Sequence, residues 1–274
     1  LQKNELANES ELFIYSDAAN NINSQNKVNE VRNYVQNIKG FKKVTIFQRK
    51  KNLGLANSII KGVTDIVNDF GKVIVLEDDL VTSKYFLRYM NDALNIYKKK
   101  KRVWEVGGYV YPIAYKHRKD FFFAPYTTSW GWATWSDRWK HFERNPEKLI
   151  DIFDNEKIKR FNIDDSENLW EQVIRNAKGE LFSWAVFWYA VVFLNRGVTI
   201  YPKISMINNI GHDGTGVNSK KSNFFDTNIA QDRLNISFED IEINTDIILE
   251  VKKYLKNNKS FSKRFLNKFK RLFI

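Results

Sequence analysis

The sequence predicts an α/β protein with a mostly parallel central sheet and helices on both of its faces. Three observations predict it. Short apolar runs alternate with helical periodicity through residues 12–97. The runs are almost wholly apolar, as in strands buried on both faces. Polar or acidic clusters follow the runs at once, where an open α/β sheet keeps its ligand site.

Leu12-Phe13-Ile14-Tyr15 reads as a buried strand that ends at Ser16-Asp17 and a polar loop. Val28, Val31, Val35 and Ile38 recur at helical spacing. Val44 to Phe47 is a second strand, and Leu55 to Phe70 an amphipathic helix. Val73 to Leu76 is a third strand, followed by Glu77-Asp78-Asp79 and a helical stretch from Lys84 to Tyr97. After Trp104 aromatic-rich stretches take over, at 109–115, 121–126 and 130–139. Asp151 to Ala177 reads as polar helix, Phe182 to Leu194 as a buried helix, and Val198 to Tyr201 as a strand ended by Pro202. Residues 208–218 form a Gly-rich loop, and from Ile241 the chain is a Lys-rich helical tail. The expected division is a domain over 1–240 and a tail over 241–274.

The chain has 274 residues, of which 43% are hydrophobic. That suits one large domain or two small ones, at ~100–200 residues each. The formal charge of +12 implies anionic partners. With no Cys, disulfides and thiolate metal sites are excluded, as suits a reducing compartment. No run of ~20 uncharged apolar residues encodes a membrane-crossing helix. A nucleic-acid-binding module would account for the charge and the aromatics, but an acidic triplet repels phosphates unless metal-bound. No nucleic-acid partner is therefore expected.

Three consecutive acids at a strand end repel one another unless a cation joins them. Mg²⁺ and Mn²⁺ choose carboxylate oxygen and share themselves with substrate phosphates. The other reading is an acidic turn whose Asp caps a helix starting near Thr82.

Val75-Leu76-Glu77-Asp78-Asp79-Leu80, with Asn52-Leu53-Gly54-Leu55-Ala56 one helix upstream, resembles the GT-A glycosyltransferases. Within them the resemblance is to the group of N-acetylglucosaminyltransferase I and the bacterial family-2-like enzymes that build surface polysaccharides. Ser129-Trp130-Gly131-Trp132-Ala133-Thr134-Trp135 is similar to that group's tryptophan-rich segment, and 209–216 to its C-terminal loop. The similarity runs from about Leu12 to Gly216, and three motifs in order make it specific.

The resemblance implies a Rossmann-like GT-A fold and inverting transfer from a nucleotide-sugar donor to a glycan or lipid-linked acceptor. Mn²⁺ or Mg²⁺ would be the cofactor, and UDP-N-acetylglucosamine the leading donor. Asp17 would meet uracil. Gly54, Asn57 and Ser58 would lie near the nucleoside, and Glu77 and Asp78 near ribose and sugar. Asp79 would hold the metal. Trp130, Gly131 and Trp132 would line the acceptor cleft, with core packing as the other reading of these rings. His212 is either a second metal ligand or a loop histidine bonded to backbone. For the catalytic base the relatives often place an acid beside a Ser-Trp pair. Here Phe182 stands before Ser183-Trp184, leaving Glu180, Asp213 and Asp165 as candidates. That departure keeps a second class open, a catalytically inactive transferase-like carbohydrate-binding protein.

Two further expectations follow. Lysines and aromatics interleave after Glu250, a pattern that suits either an anionic membrane surface, with a cytoplasmic enzyme at its inner face, or a helix packed on the domain with its lysines in solvent, or a frayed terminus. The GT-A fold opens with a strand and helix before the strand that ends at the uracil-binding Asp. Leu12–Tyr15 already reads as that second strand, so an N-terminal strand, with its helix ~25–35 residues in all, is expected to be missing from this chain.

Overall fold

The computed structural model describes residues 1–114, 119–211 and 224–270, with side chains to 257. In chain order the elements are β1 (Glu11–Ser16), α1 (Gln25–Val35), β2 (Lys43–Gln48), α2 (Gly54–Phe70), β3 (Lys72–Val75), β4 (Leu80–Thr82) and α3 (Phe86–Tyr97). There follow β5 (Val103–Gly107), β6 (Phe121–Ala124), β7 (Trp132–Trp135), α4 (Ser136–Trp139), α5 (Pro146–Ile152), α6 (Asn155–Phe161) and α7 (Leu169–Ala177). The chain continues through α8 (Ala185–Leu194), β8 (Val198–Pro202), β9 (Ile207–Asn209) and α9 (Thr245–Lys270).

The protein is α/β. Its main sheet has five strands in the order β3-β7-β5-β8-β6. Only β5–β8 is a parallel pairing within it; β3–β7, β5–β7 and β6–β8 are antiparallel. The expectation of a mostly parallel sheet is therefore corrected to a mixed one. The strand–helix alternation stops after α3, and among the described residues no helix stands between β5 and β6 or between β6 and β7. Continuous apolar strands did not distinguish the cases, because a mixed sheet covered on both faces buries its strands just as fully. β5, β6 and β7 are buried throughout.

β1 and β2 form a separate parallel pair, joined by α1 as a crossover. A third small sheet pairs β4 with β9. Helix α2 lies over two sheets at once. Its Phe70 ring meets Phe13 of β1 at 5.2 Å, and a Cβ on Gly62 would lie 3.2 Å from the Tyr15 ring. On another stripe, Val63 and Val67 join Val75 of β3, Trp132 and Trp188 in one core cluster.

The expected tail begins inside the fold. Ile247, Ile248, Val251 and Leu255 of α9 are buried in the second core cluster, and Lys252 pairs with Asp164. Among the described residues no helix is long and apolar enough to cross a membrane.

Candidate functional site

The acidic triplet stands in the turn between β3 and β4. It caps no helix: α3 starts only at Phe86, after β4, and has no side-chain cap bond. The capping alternative is thereby removed. β4 is covered by β9, in register Leu80↔Asn209, and Asp79 O accepts the Ile210 amide at 2.9 Å. The chain then passes directly over the Asp79 carboxylate. A Cβ on Gly211 would lie 2.3 Å from Asp79 Oδ2, so any other residue there would have to displace the carboxylate. Asp79 Oδ1 is buried with no hydrogen-bond partner among the described residues. Burial first, then the charges of Asp79 and Asp78, push the Glu77 carboxyl up to about 7.

A divalent cation fits this chemistry in part. An unpartnered buried carboxylate oxygen beside two more acids is a hard-oxygen donor set. Among the described residues no three His, Asp or Glu come together as a ready cage. Asp79 thus suits a cation that draws its remaining ligands from water and phosphate, the usual habit of Mg²⁺.

β9 ties this turn to the tryptophan-rich segment. A Cβ on Gly131 would lie 2.6 Å from Ile207, and Gly131 O accepts the Gly108 amide at 2.7 Å. Gly131 also has φ +59°, which favours glycine. Trp130 is half-buried; its ring stands edge-on to Tyr109 at 4.7 Å and to Phe225 at 5.1 Å. Trp132 is 0% exposed and stacks on Trp184 at 5.2 Å. Its expected place as a cleft-lining residue is corrected: β7 has both faces covered, so Trp132 is core. The following Arg138 is structural too. It donates to the carbonyls of Lys98, Lys100 and Val103 and so ties the end of α3 to β5.

The nucleoside candidates gather where β1 ends. Asp17 accepts the amides of Leu53 (3.0 Å), Gly54 (2.8 Å) and Ala18 (2.9 Å) and so caps α2 from another strand. The role expected for it, accepting a uracil N–H, has to share a carboxylate already bonded three ways. Asn57 is exposed and donates to Leu53 O, whereas Ser58 Oγ is buried without a partner.

Of the base candidates, Glu180 and Asp165 make no hydrogen bond or ion pair to this group. Glu180 is exposed and faces Arg175 at 3.6 Å. Asp165 is exposed, in a run of three left-handed residues, Ile163 (φ 52°), Asp164 (φ 50°) and Asp165 (φ 60°). His212 and Asp213 lie outside the described residues. Phe182 is exposed, with the Arg144 guanidinium 3.6 Å above its ring.

One acid escaped the sequence reading. Glu105, on β5, is 0% exposed and accepts hydrogen bonds from Trp188, Thr128 and Thr199. The signal was a lone carboxylate within the apolar run Val103-Trp104-Glu105-Val106. No protein-family model matches the chain, and no curated protein matches it.

Proposed function

We propose that the chain is a metal-dependent glycosyltransferase of GT-A type that uses a nucleotide-sugar donor. The observation that carries this reading is Asp79: a strand-end carboxylate with one buried, unpartnered oxygen, roofed by Gly211 and set beside Glu77 and Asp78. A cation held there would draw off the negative charge that builds on a departing nucleoside diphosphate. Trp130, half-buried and two residues before core Trp132, is the aromatic of this segment that would meet a sugar. Asp17 and the start of α2 sit at the strand ends where a nucleoside is expected.

The α/β architecture, with β1 and β3 both packed under α2, is compatible with a Rossmann-like fold. The resemblance adds inverting chemistry, a UDP-linked donor, a glycan or lipid-linked acceptor and a cytoplasmic site of action.

The second reading, an inactive carbohydrate-binding relative, is favoured by Phe182 and by the exposure of Glu180, which faces Arg175, and of Asp165. A thermal-shift panel of UDP-, GDP-, CMP- and dTDP-sugars with Mn²⁺ tests the donor class. Release of sugar from the stabilising donor separates enzyme from lectin, since a pure binder releases none. If GDP-mannose stabilises the protein and no UDP-sugar does, the UDP assignment fails.

A further inference from the structure

We propose that Glu105 is a positioning residue that fixes the segment carrying Trp130 against the sheet by accepting the amide of Thr128. The transferase reading enters only in what Trp130 is held for, contact with a sugar.

The geometry is specific. Glu105 lies on the innermost part of the sheet, with β7 on one side and β8 on the other. Its Oε2 accepts Trp188 Nε1–H of α8 at 2.7 Å. Its Oε1 accepts the Thr128 amide at 3.3 Å and the Thr199 hydroxyl of β8 at 3.4 Å. One carboxylate therefore joins β5, α8, β8 and the loop that enters β7. The loop is held again two residues earlier, where Tyr126 O accepts Tyr201 Oη–H at 3.1 Å. Between Thr128 and the buried Gly131 stands the half-buried Trp130.

A buried carboxylate at this place is costly unless it is fully bonded. For packing alone, an apolar residue would serve β5 as well as Val103 and Val106 do. Burial pushes the Glu105 carboxyl up to about 8, against the pull of the hydrogen bonds from Trp188, Thr128 and Thr199. The titratable group on β8 that feels its charge is Tyr201.

Glu105→Gln isolates the link to the loop. Trp188 Nε1 can only donate, so the glutamine turns its oxygen to Trp188. Its NH₂ then faces Thr199, whose hydroxyl can accept, and the Thr128 backbone amide, which cannot. The Thr128 amide loses its acceptor while the core keeps its shape. Hydrogen exchange followed by mass spectrometry on the alkaline side of the Glu105 titration, where the carboxylate is ionised, should show segment 125–131 opening roughly tenfold faster in Glu105→Gln, about the worth of one hydrogen bond. Segments 185–194 and 198–202 should exchange as before. Unchanged exchange in 125–131, or a rise shared by all three segments, would overturn the proposal. A second measurement needs no variant. In the wild-type protein the Thr128 amide proton should shift with pH at the same midpoint as the Glu105 carboxyl carbon; an amide shift that ignores that titration would also overturn it. Neither readout involves substrate, so both stand if no sugar is ever transferred.

Discussion

Gly211 lies against Asp79 so closely that a Cβ would come within 2.3 Å of the carboxylate oxygen Oδ2. Two segments far apart in sequence are thereby locked together, since β9 brings Gly211 over the turn that follows β3. Gly211→Ala should displace Asp79 without unfolding the domain, because Gly211 lies past the end of β9, next to the exposed Ile210. The expected outcome is loss of any Mn²⁺-dependent stabilisation by nucleotide with a melting temperature otherwise within a few degrees of wild type. Full retention of the Mn²⁺ effect would mean that this contact does not set the carboxylate.

Asp17 should act on stability as well as on binding. Three amides donate to it, two of them from the start of α2. Asp17→Ala should cost ~1–2 kcal/mol in urea denaturation, the size of a lost helix cap. A purely ligand-facing carboxylate would cost almost nothing.

Sequence patterning gave β1, β2, α2, β3, α8 and β8 to within a few residues, because each is a local apolar run or stripe. The strand ends also placed Asp17 and the acidic triplet. What the pattern could not give is direction and distance. Pairing of β7 antiparallel to both β3 and β5 is decided by non-local contacts, and so is the roof that β9 lays over β4. The tryptophan-rich segment shows the limit most clearly. Trp130 and Trp132 are two residues apart and identical in type, yet one is half-buried at the rim and the other fully enclosed. The reversal comes from Gly131, whose left-handed backbone ends the strand alternation.

That contrast predicts opposite phenotypes. Trp132→Ala should destabilise the fold by ~3–5 kcal/mol, as for other buried aromatic deletions. Trp130→Ala should cost clearly less stability than Trp132→Ala, since its ring is only half-buried against Tyr109 and Phe225, and should weaken binding of the sugar part of the ligand. Parallel thermal melts and sugar titrations would check this. Equal stability losses in the two variants would show that Trp130 is core as well.

Glu105 makes stability depend on pH in a definite direction. Its folded carboxyl titrates at about 8, whereas an unfolded one titrates near the ordinary glutamate value of about 4.3. Between those values the folded chain holds the proton that the unfolded chain has lost. The contribution is therefore full at the acid end of the window and is lost as pH rises through it. Urea denaturation near the two ends of the window should show wild type losing more stability on going alkaline than Glu105→Gln. Equal losses in the two proteins would contradict the buried-acid account.

The most direct test is titration calorimetry of UDP-N-acetylglucosamine with wild type and Asp79→Asn, each with Mn²⁺ and with EDTA. Asparagine keeps the size of the side chain under Gly211 but removes its charge. The account predicts tight binding only for wild type with Mn²⁺, and equally weak binding in the other three cases. Mn²⁺-dependent binding by Asp79→Asn at wild-type strength, or binding by wild type that EDTA leaves unchanged, would contradict the assignment of Asp79 as the metal ligand of a nucleotide-sugar site.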